Sequence, residues 1–241
     1  MKYVFDVDGT LTPSRSKIDS NFQEFFLKFI KESETYLVSG SDYEKTVEQL
    51  GEEICLSVTG VFSCAGNHYM KNGKQVYQTF FELSEEELKT LDSILKESKF
   101  PIKTGSHIEK RIGLYNFSIV GRNCTREQRK EYVKWDLETN ERVKIANRLN
   151  ESFSKIECTI AGETGIDIYG KGRNKAQIVN TIGNDIIFFG DRCEPGGNDH
   201  AISLVAEKTF KVNDWKDTHR ILLNYFIESS SIKNLNYWQR V

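Results

Sequence analysis

The sequence predicts an α/β fold: a parallel sheet covered by helices, with a smaller α+β unit inserted in its middle. Three observations point there. Short apolar runs alternate with amphipathic stretches in the first and last thirds of the chain, as in strands joined by crossover helices. The runs at 3–6, 35–38 and 185–190 each end in a turn rich in Gly, Asp or Ser. Between residues 79 and 171 the pattern changes to capped, charged helices and paired strands. The predicted division is therefore 1–78 and 172–241 for the parallel-sheet domain and 79–171 for the inserted unit.

The elements follow in order. A strand over 3–6 is followed by Ser20-Asn21-Phe22-Gln23, the pattern of a capping box. It opens a helix whose apolar face carries Phe22, Phe25, Phe26, Phe29 and Ile30. A strand over 35–38 runs into Ser39-Gly40-Ser41-Asp42, and a helix over 42–50 stops at Gly51. A third strand covers 58–63, and Asn72-Gly73 marks a hairpin turn. In the insert, Ser84 and Thr125 cap helices, and a further helix spans 138–150. Short strands are expected near 107–111, 115–120, 154–160 and 166–169. The last third holds a helix over 174–181, a strand over 185–190 and a short helix near Asp199. A strand near 203–206 and an amphipathic helix over 215–227 follow, then a polar tail after Glu228 that is expected to be loosely held.

The chain has 241 residues, 28% of them charged, and a net charge of −2. That length suits a large core in one or two domains. That charge gives no bulk attraction to nucleic acid or to a membrane surface, and neither is expected as a partner. No long apolar run or basic-apolar leader is present. Five cysteines without CxxC spacing form an odd set, which fits small buried hydrophobes in a reducing cytoplasm better than disulfides or zinc.

The stretch Asp6-Val7-Asp8-Gly9-Thr10-Leu11-Thr12 is the richest in chemistry. Alternate side chains of a strand share a face, so Asp6 and Asp8 can point into one site as the strand ends. Two crowded acids call for a cation, and Mg²⁺ favours one or two carboxylates with phosphate and water. An aspartate can also attack phosphorus. A surface Asp-Gly turn is the plainer alternative, but the preceding apolar strand and the Thr-Leu-Thr that follows favour the site.

Three further pieces fall at the carboxyl ends of predicted strands or at a helix start. These are Ser39-Gly40-Ser41, Lys175, and Gly190-Asp191 with Pro195-Gly196-Gly197-Asn198-Asp199. Open α/β sheets bind ligands at that edge. Taken singly, each has an ordinary reading as a capped loop, a solvated lysine or a strand-ending turn. Together they supply what phosphoryl transfer needs. Asp6 would be nucleophile and metal ligand. Asp8 would be the acid/base, with its main-chain carbonyl toward the metal. Ser39, Gly40 and Ser41 would hold phosphoryl oxygens. Lys175 would neutralise the charge between Asp6 and phosphate, Asp191 would complete the Mg²⁺ ligands, and Asn198 and Asp199 would orient them from behind.

The insert carries Arg111 and Arg122 eleven positions apart around Gly113, so a hairpin can bring them together, and Arg129 follows on a helix. Guanidinium forks suit phosphate, although Arg129 alone would read as a surface residue. Asp167 on a later strand could accept hydrogen bonds from sugar hydroxyls.

The seven residues from Asp6 resemble the first motif of the haloacid dehalogenase superfamily. Gly40-Ser41-Asp42-Tyr43-Glu44-Lys45, Ile119-Val120-Gly121-Arg122 and Phe188-Phe189-Gly190-Asp191 with the Pro195–His200 run extend the likeness. With them the chain resembles the eukaryotic-type phosphomannomutases over nearly its whole length. That resemblance implies a Rossmannoid core of the haloacid dehalogenase type and a cap of the C2b type. It implies exchange of mannose 6-phosphate and mannose 1-phosphate with Mg²⁺, through an aspartyl-phosphate on Asp6 and a hexose 1,6-bisphosphate, which also serves as activator. It implies sugar-phosphate contacts at Arg15, Arg111, Arg122, Arg129 and Asp167, and a homodimer through the cap.

The chain departs from the family pattern at three places. Gly165 stands where a substrate-contacting serine is expected, Ile112 replaces a polar residue, and Ala201–Val205 lacks the acid of a second, structural ion site, so that ion is not expected. Two other functions remain open to the sequence: a hexose-phosphate phosphatase using the same acids, and a non-catalytic sugar-phosphate binder.

Overall fold

A computed structural model describes residues 1–224, and the fold is given for those residues. The predicted tail after Glu228, and the end of the predicted helix over 215–227, lie outside them. The chain begins with β1 (Lys2–Phe5), α1 (Ser20–Glu32), β2 (Glu34–Val38), α2 (Tyr43–Leu50), α3 (Glu52–Ser57), β3 (Gly60–Ser63), β4 (His68–Lys71) and β5 (Lys74–Gln78). The insert follows as α4 (Glu85–Glu97), β6 (Ile108–Arg111), β7 (Leu114–Phe117), α5 (Arg126–Thr139), α6 (Glu141–Ser152), β8 (Ile156–Ala161) and β9 (Gly165–Gly170). The last stretch holds α7 (Val179–Ile182), β10 (Ile186–Gly190), α8 (His200–Val205), β11 (Lys208–Lys211) and α9 (residues 215–224).

Seven strands form one sheet in the order β11-β10-β1-β2-β3-β4-β5. Neighbours from β11 to β3 are parallel, while β4 and β5 add an antiparallel hairpin. The hairpin turns on Asn72 and Gly73, both at positive φ (50° and 70°), as an Asn-Gly turn of this kind requires. Strand β1 lies centrally, with Phe5 beside Leu37 on one neighbour and Phe189 on the other. Its side chains alternate between faces. Phe5 packs with Phe22, Phe26 and Phe29 of α1, and Val4 packs on the opposite face with Phe62, Ile178 and Phe188. Burial on both faces explains why these strands read as unbroken apolar runs.

The insert builds its own antiparallel sheet, β6-β7-β9-β8, against α4, α5 and α6. Its apolar cluster includes Phe117, Ile119, Tyr132, Leu149, Ile166 and Ile168. A smaller cluster of Cys64, Ala65, Leu114 and Tyr169 joins the two units. Asn67 ties both connections: its main-chain carbonyl accepts from Thr79 N (2.8 Å), and its side chain donates to Arg173 O (3.4 Å).

Several local expectations needed correction. Residues 203–206 are not a strand but the end of α8, and the strand is β11. Ser20 is the first residue of α1, and its cap is Asp19, whose carboxylate accepts from Asn21 N and Phe22 N. Residues 174–181 begin as a 3-10 turn (Lys175–Ile178), with α7 only after it. Helix α3 follows Gly51, where the sequence had suggested only a stop. The predicted caps Ser84 and Thr125 do form capping boxes.

Candidate active site

Strand β1 ends at Phe5, and the chain turns at Gly9 with φ 87°, a conformation that glycine adopts freely. Asp6 is buried where β1 passes between β2 and β10. A side chain at Gly9 would collide with the Asp191 carboxylate, which lies against it from the end of β10. Lys175, 1% exposed, opens the 3-10 turn behind them. Its Nζ donates to Asp6 and, at 2.7 Å, to Asp199 Oδ1. Oxygens of Asp6, Asp191 and Asp199 all lie within 4.8 Å of one another.

One buried lysine among three acids leaves negative charge in excess. Burial alone would lower the Lys175 pKa; Asp199 and Asp6 outweigh it and raise it, so Lys175 stays charged. Burial, with Asp199 and Asp191 nearby, lifts Asp6 well above the usual carboxylate range despite Lys175. Burial and Asp199 push Asp191 up to about 6. Such a cluster is stabilised by a further cation. The donors are all oxygen, and Asn198 adds a buried Oδ1 with no hydrogen-bond partner among the described residues. This set fits a hard ion such as Mg²⁺. Asp199, expected behind the ligands, is fully buried; its carboxylate holds Lys175 and accepts from Arg192 N at 3.1 Å.

Asp8 has partners different from those of Asp6. Its Oδ1 accepts from Arg15 N and from Gln49 Nε2, each at 2.9 Å. Ser39, at the end of β2, is buried, and its Oγ accepts from Ser41 N at 3.0 Å. Asp42 caps α2 through Lys45 N at 2.9 Å, so the 39–42 turn leads directly into a helix N-terminus.

A cavity of about 720 Å³ lies between the core and the insert. Asp6, Asp8, Ser39, Gly40, Ser41, Asp191 and Asn198 line it from the core. Arg111, Arg122, Arg129 and Asp167 line it from the insert, and Arg15 from the loop after the first turn. Lys175 and Asp199 are buried and are not on its wall. Arg15 has a positive φ (56°), and burial, then Arg129 and Arg122, push its pKa down to about 10. Burial and Arg111 likewise lower Arg122. Arg129 is paired with Glu163 at 3.3 Å. Asp167 is buried, accepts from Asn116 Nδ2 at 2.7 Å, and has its pKa raised chiefly by burial. An anion in the cavity would offset the mutual repulsion of these guanidiniums.

Residues 22–228 match the eukaryotic phosphomannomutase family. A phosphomannomutase of Drosophila melanogaster is 37% identical over 235 residues, covering 91% of this chain and 92% of the relative. The chain belongs to the eukaryotic phosphomannomutase family.

Solved structures of the same fold lie further off in sequence. A haloacid dehalogenase-like hydrolase from Bacteroides thetaiotaomicron superposes with a TM-score of 0.57 at 15% identity, over 93% of this chain and 98% of that one. An IMP-nucleotidase of Plasmodium falciparum gives 0.62 at 15% identity, over 92% of this chain and 67% of that one. The architecture is thus a haloacid dehalogenase-like core with an inserted cap. Of the departures from the phosphomannomutase pattern, Gly165 opens β9 and lines the cavity without a side chain to offer a sugar.

Sequence reading missed Gln49, Asn116, Lys45 and Glu109, which bond to the acids and arginines of the site. Each looks like an ordinary polar residue of a helix or strand, and each has a partner well removed in the chain: Asp8 for Gln49, Asp167 for Asn116, Arg122 for Glu109 and Glu109 for Lys45.

Proposed function

We propose that this phosphomannomutase-family enzyme interconverts hexose 6-phosphate and hexose 1-phosphate, with mannose as the sugar. The single observation that carries the reading is one cavity lined both by Asp6 and by arginines of the cap and of the 13–17 loop. A simple phosphatase needs only the first of these. A mutase must hold the phosphate that is not reacting, and then hold its counterpart after the sugar turns round.

Asp6 is the nucleophile. In its phosphorylated form it gives the phosphoryl group to the free hydroxyl of a hexose monophosphate. The P–O bond to Asp6 breaks, the bond to the sugar oxygen forms, and Asp8 takes the hydroxyl proton. The resulting hexose 1,6-bisphosphate reorients in the cavity. Asp6 then attacks the other phosphorus, and Asp8 returns the proton to the departing sugar oxygen. Ser39 and the amides of the Gly40–Ser41 turn hold the phosphoryl oxygens in flight, at the start of α2. Lys175 keeps Asp6 correctly placed and offsets its charge. Asp6, Asp191 and the Asp8 main-chain carbonyl would hold Mg²⁺, with Asn198 and Asp199 beside them. When bound, the ion neutralises charge on the transferring phosphoryl group. Arg15, Arg111, Arg122 and Arg129 receive the distal phosphate, and Asp167 takes a sugar hydroxyl.

Hexose 1,6-bisphosphate as activator and a homodimer through the cap belong to the same reading. Leu137 of α5 and Val143 of α6 are exposed on the cap and support such pairing. The five cysteines are free thiols, which supports a cytoplasmic setting. None of the helices among the described residues is long and apolar enough to cross a membrane.

The test is ³¹P NMR of the purified enzyme with mannose 1-phosphate, Mg²⁺ and a trace of hexose bisphosphate, repeated with glucose 1-phosphate. A 6-phosphate resonance supports the mutase. Inorganic phosphate alone would mark a phosphatase, and no turnover with retained binding would mark a sugar-phosphate binder.

A further inference from the structure

Glu109 lies on β6 two residues before Arg111, behind the cavity wall rather than on it. Its Oε2 accepts from Arg111 Nε at 2.9 Å and Arg111 Nη2 at 2.5 Å, and Arg122 Nη2 lies 2.9 Å away. Its Oε1 faces Lys45 Nζ at 3.7 Å. Lys45 belongs to α2 of the core and also pairs with Asp42 at 3.1 Å. One carboxylate therefore touches two cap arginines and reaches a lysine across the cleft. Arg111 adds a second tie, donating from Nη1 to Gly40 O at 3.0 Å.

Two guanidiniums sharing one notch repel each other, and flexible forks that repel turn toward water. An anion between them reverses that tendency and fixes the direction of the remaining N–H groups. Burial alone would raise the Glu109 pKa. Arg111, Arg122 and Lys45 outweigh it and hold the carboxyl below its usual range. Charge and geometry agree: the carboxylate is held ionised, and it engages both arginines without itself lining the cavity.

We propose that Glu109 is a positioning residue of the sugar-phosphate clamp. It aligns Arg111 with Arg122 and, through Lys45, locks the clamp to the phosphoryl-binding turn when the cap is shut. This rests on the reading that the two arginines hold the substrate's distal phosphate.

The full-length enzyme carrying Glu109→Gln tests it, since the amide keeps size and loses charge. KM for mannose 1-phosphate should rise and kcat/KM fall by about tenfold or more, the scale of a lost charge-assisted hydrogen bond. Hydrolysis of 4-nitrophenyl phosphate, which has no second phosphate for the clamp, should fall far less. Because Glu109 acts partly through Lys45, Lys45→Met should cost less in the Glu109→Gln background than in the wild type. Wild-type KM in Glu109→Gln overturns the assignment. So do equal losses with both substrates, which would mean damage to the fold, and strictly additive costs overturn the tie to Lys45. A wild-type enzyme that turns over no sugar phosphate would sink the proposed function and this assignment with it. An active wild type with an unaffected variant would sink only the latter.

Discussion

Lys175 Nζ stands 2.7 Å from Asp199 Oδ1 and donates on its other side to Asp6, so one buried cation separates acids from opposite ends of the chain. Neither acid could tolerate the other at this burial without it. Replacing Lys175 by Met should therefore cost stability as well as catalysis. Breaking a buried ion pair by removing one partner costs about 3–5 kcal/mol. Urea unfolding without divalent ions should show a loss of that order. A second change, Asp199→Asn, should recover part of it, because the uncompensated charge is then smaller. A Lys175→Met protein as stable as the wild type would mean the cluster is held by something else.

As a proposed Mg²⁺ ligand, Asp191 would link metal to pH. Burial and Asp199 raise its folded pKa to about 6 from the ordinary 3.8, so between those values the folded protein holds more protons than the unfolded chain. The sign follows from linkage: in metal-free protein this group's contribution to stability falls as pH rises through that window. Mg²⁺ held by Asp191 would have to displace the same proton, so apparent Mg²⁺ affinity should weaken as pH drops below about 6. Thermal melts with and without Mg²⁺ from pH 4.5 to 7.5, on the order of that window, should show the Mg²⁺-induced rise growing with pH. Asp191→Asn should abolish the rise.

Arg122→Ala removes a cap guanidinium that lines the cavity. A charge-assisted hydrogen bond contributes about 1.5–3 kcal/mol, or roughly 10- to 100-fold in rate. Mutase kcat/KM should fall by that factor, with a much smaller effect on hydrolysis of 4-nitrophenyl phosphate. Equal losses in the two assays would count against a distal clamp.

Gly121, with φ 85°, sits directly against the Thr104 carbonyl, and any Cβ there would press into backbone. Alanine pays about 1–2 kcal/mol for the left-handed conformation alone, and the collision adds to it. Gly121→Ala should lower the urea midpoint by the equivalent of about 2 kcal/mol or more. Unchanged unfolding would show that the Thr104 loop yields freely.

What could be read from the sequence was local. Apolar runs bounded by turn residues reveal β1, β2 and β10, because both faces of those strands are buried. The misread end of α8 shows the limit. Ile202, Leu204 and Val205 suit a strand by type, yet only Ile202 of α8 is buried, and a helix can turn one residue inward while leaving the others out. Strand β11, with Lys208 and Lys211 exposed at its two ends, lies at the sheet edge and so lacks the apolar signature. In the site, Asp6 announces itself by its motif. Gln49 does not, since its meaning comes from an amide that reaches Asp8 and Thr12, at 2.9 and 3.1 Å, across 41 and 37 positions of chain. Glu109 reads as one acid in a charged strand until Arg122 and Lys45 are seen on either side of it.

The insertion of β10 beside β1 carries a consequence for biosynthesis. The partner of Phe5 on that side is Phe189, and Lys175 and Asp191 come from the same late stretch of chain. On the ribosome, the cap is complete before the central sheet can close, and non-local strand pairing of this kind is slow. A prematurely terminated product would carry Asp6 with neither Lys175 nor Asp191. The acid cluster and the finished sheet therefore arrive together, late in synthesis.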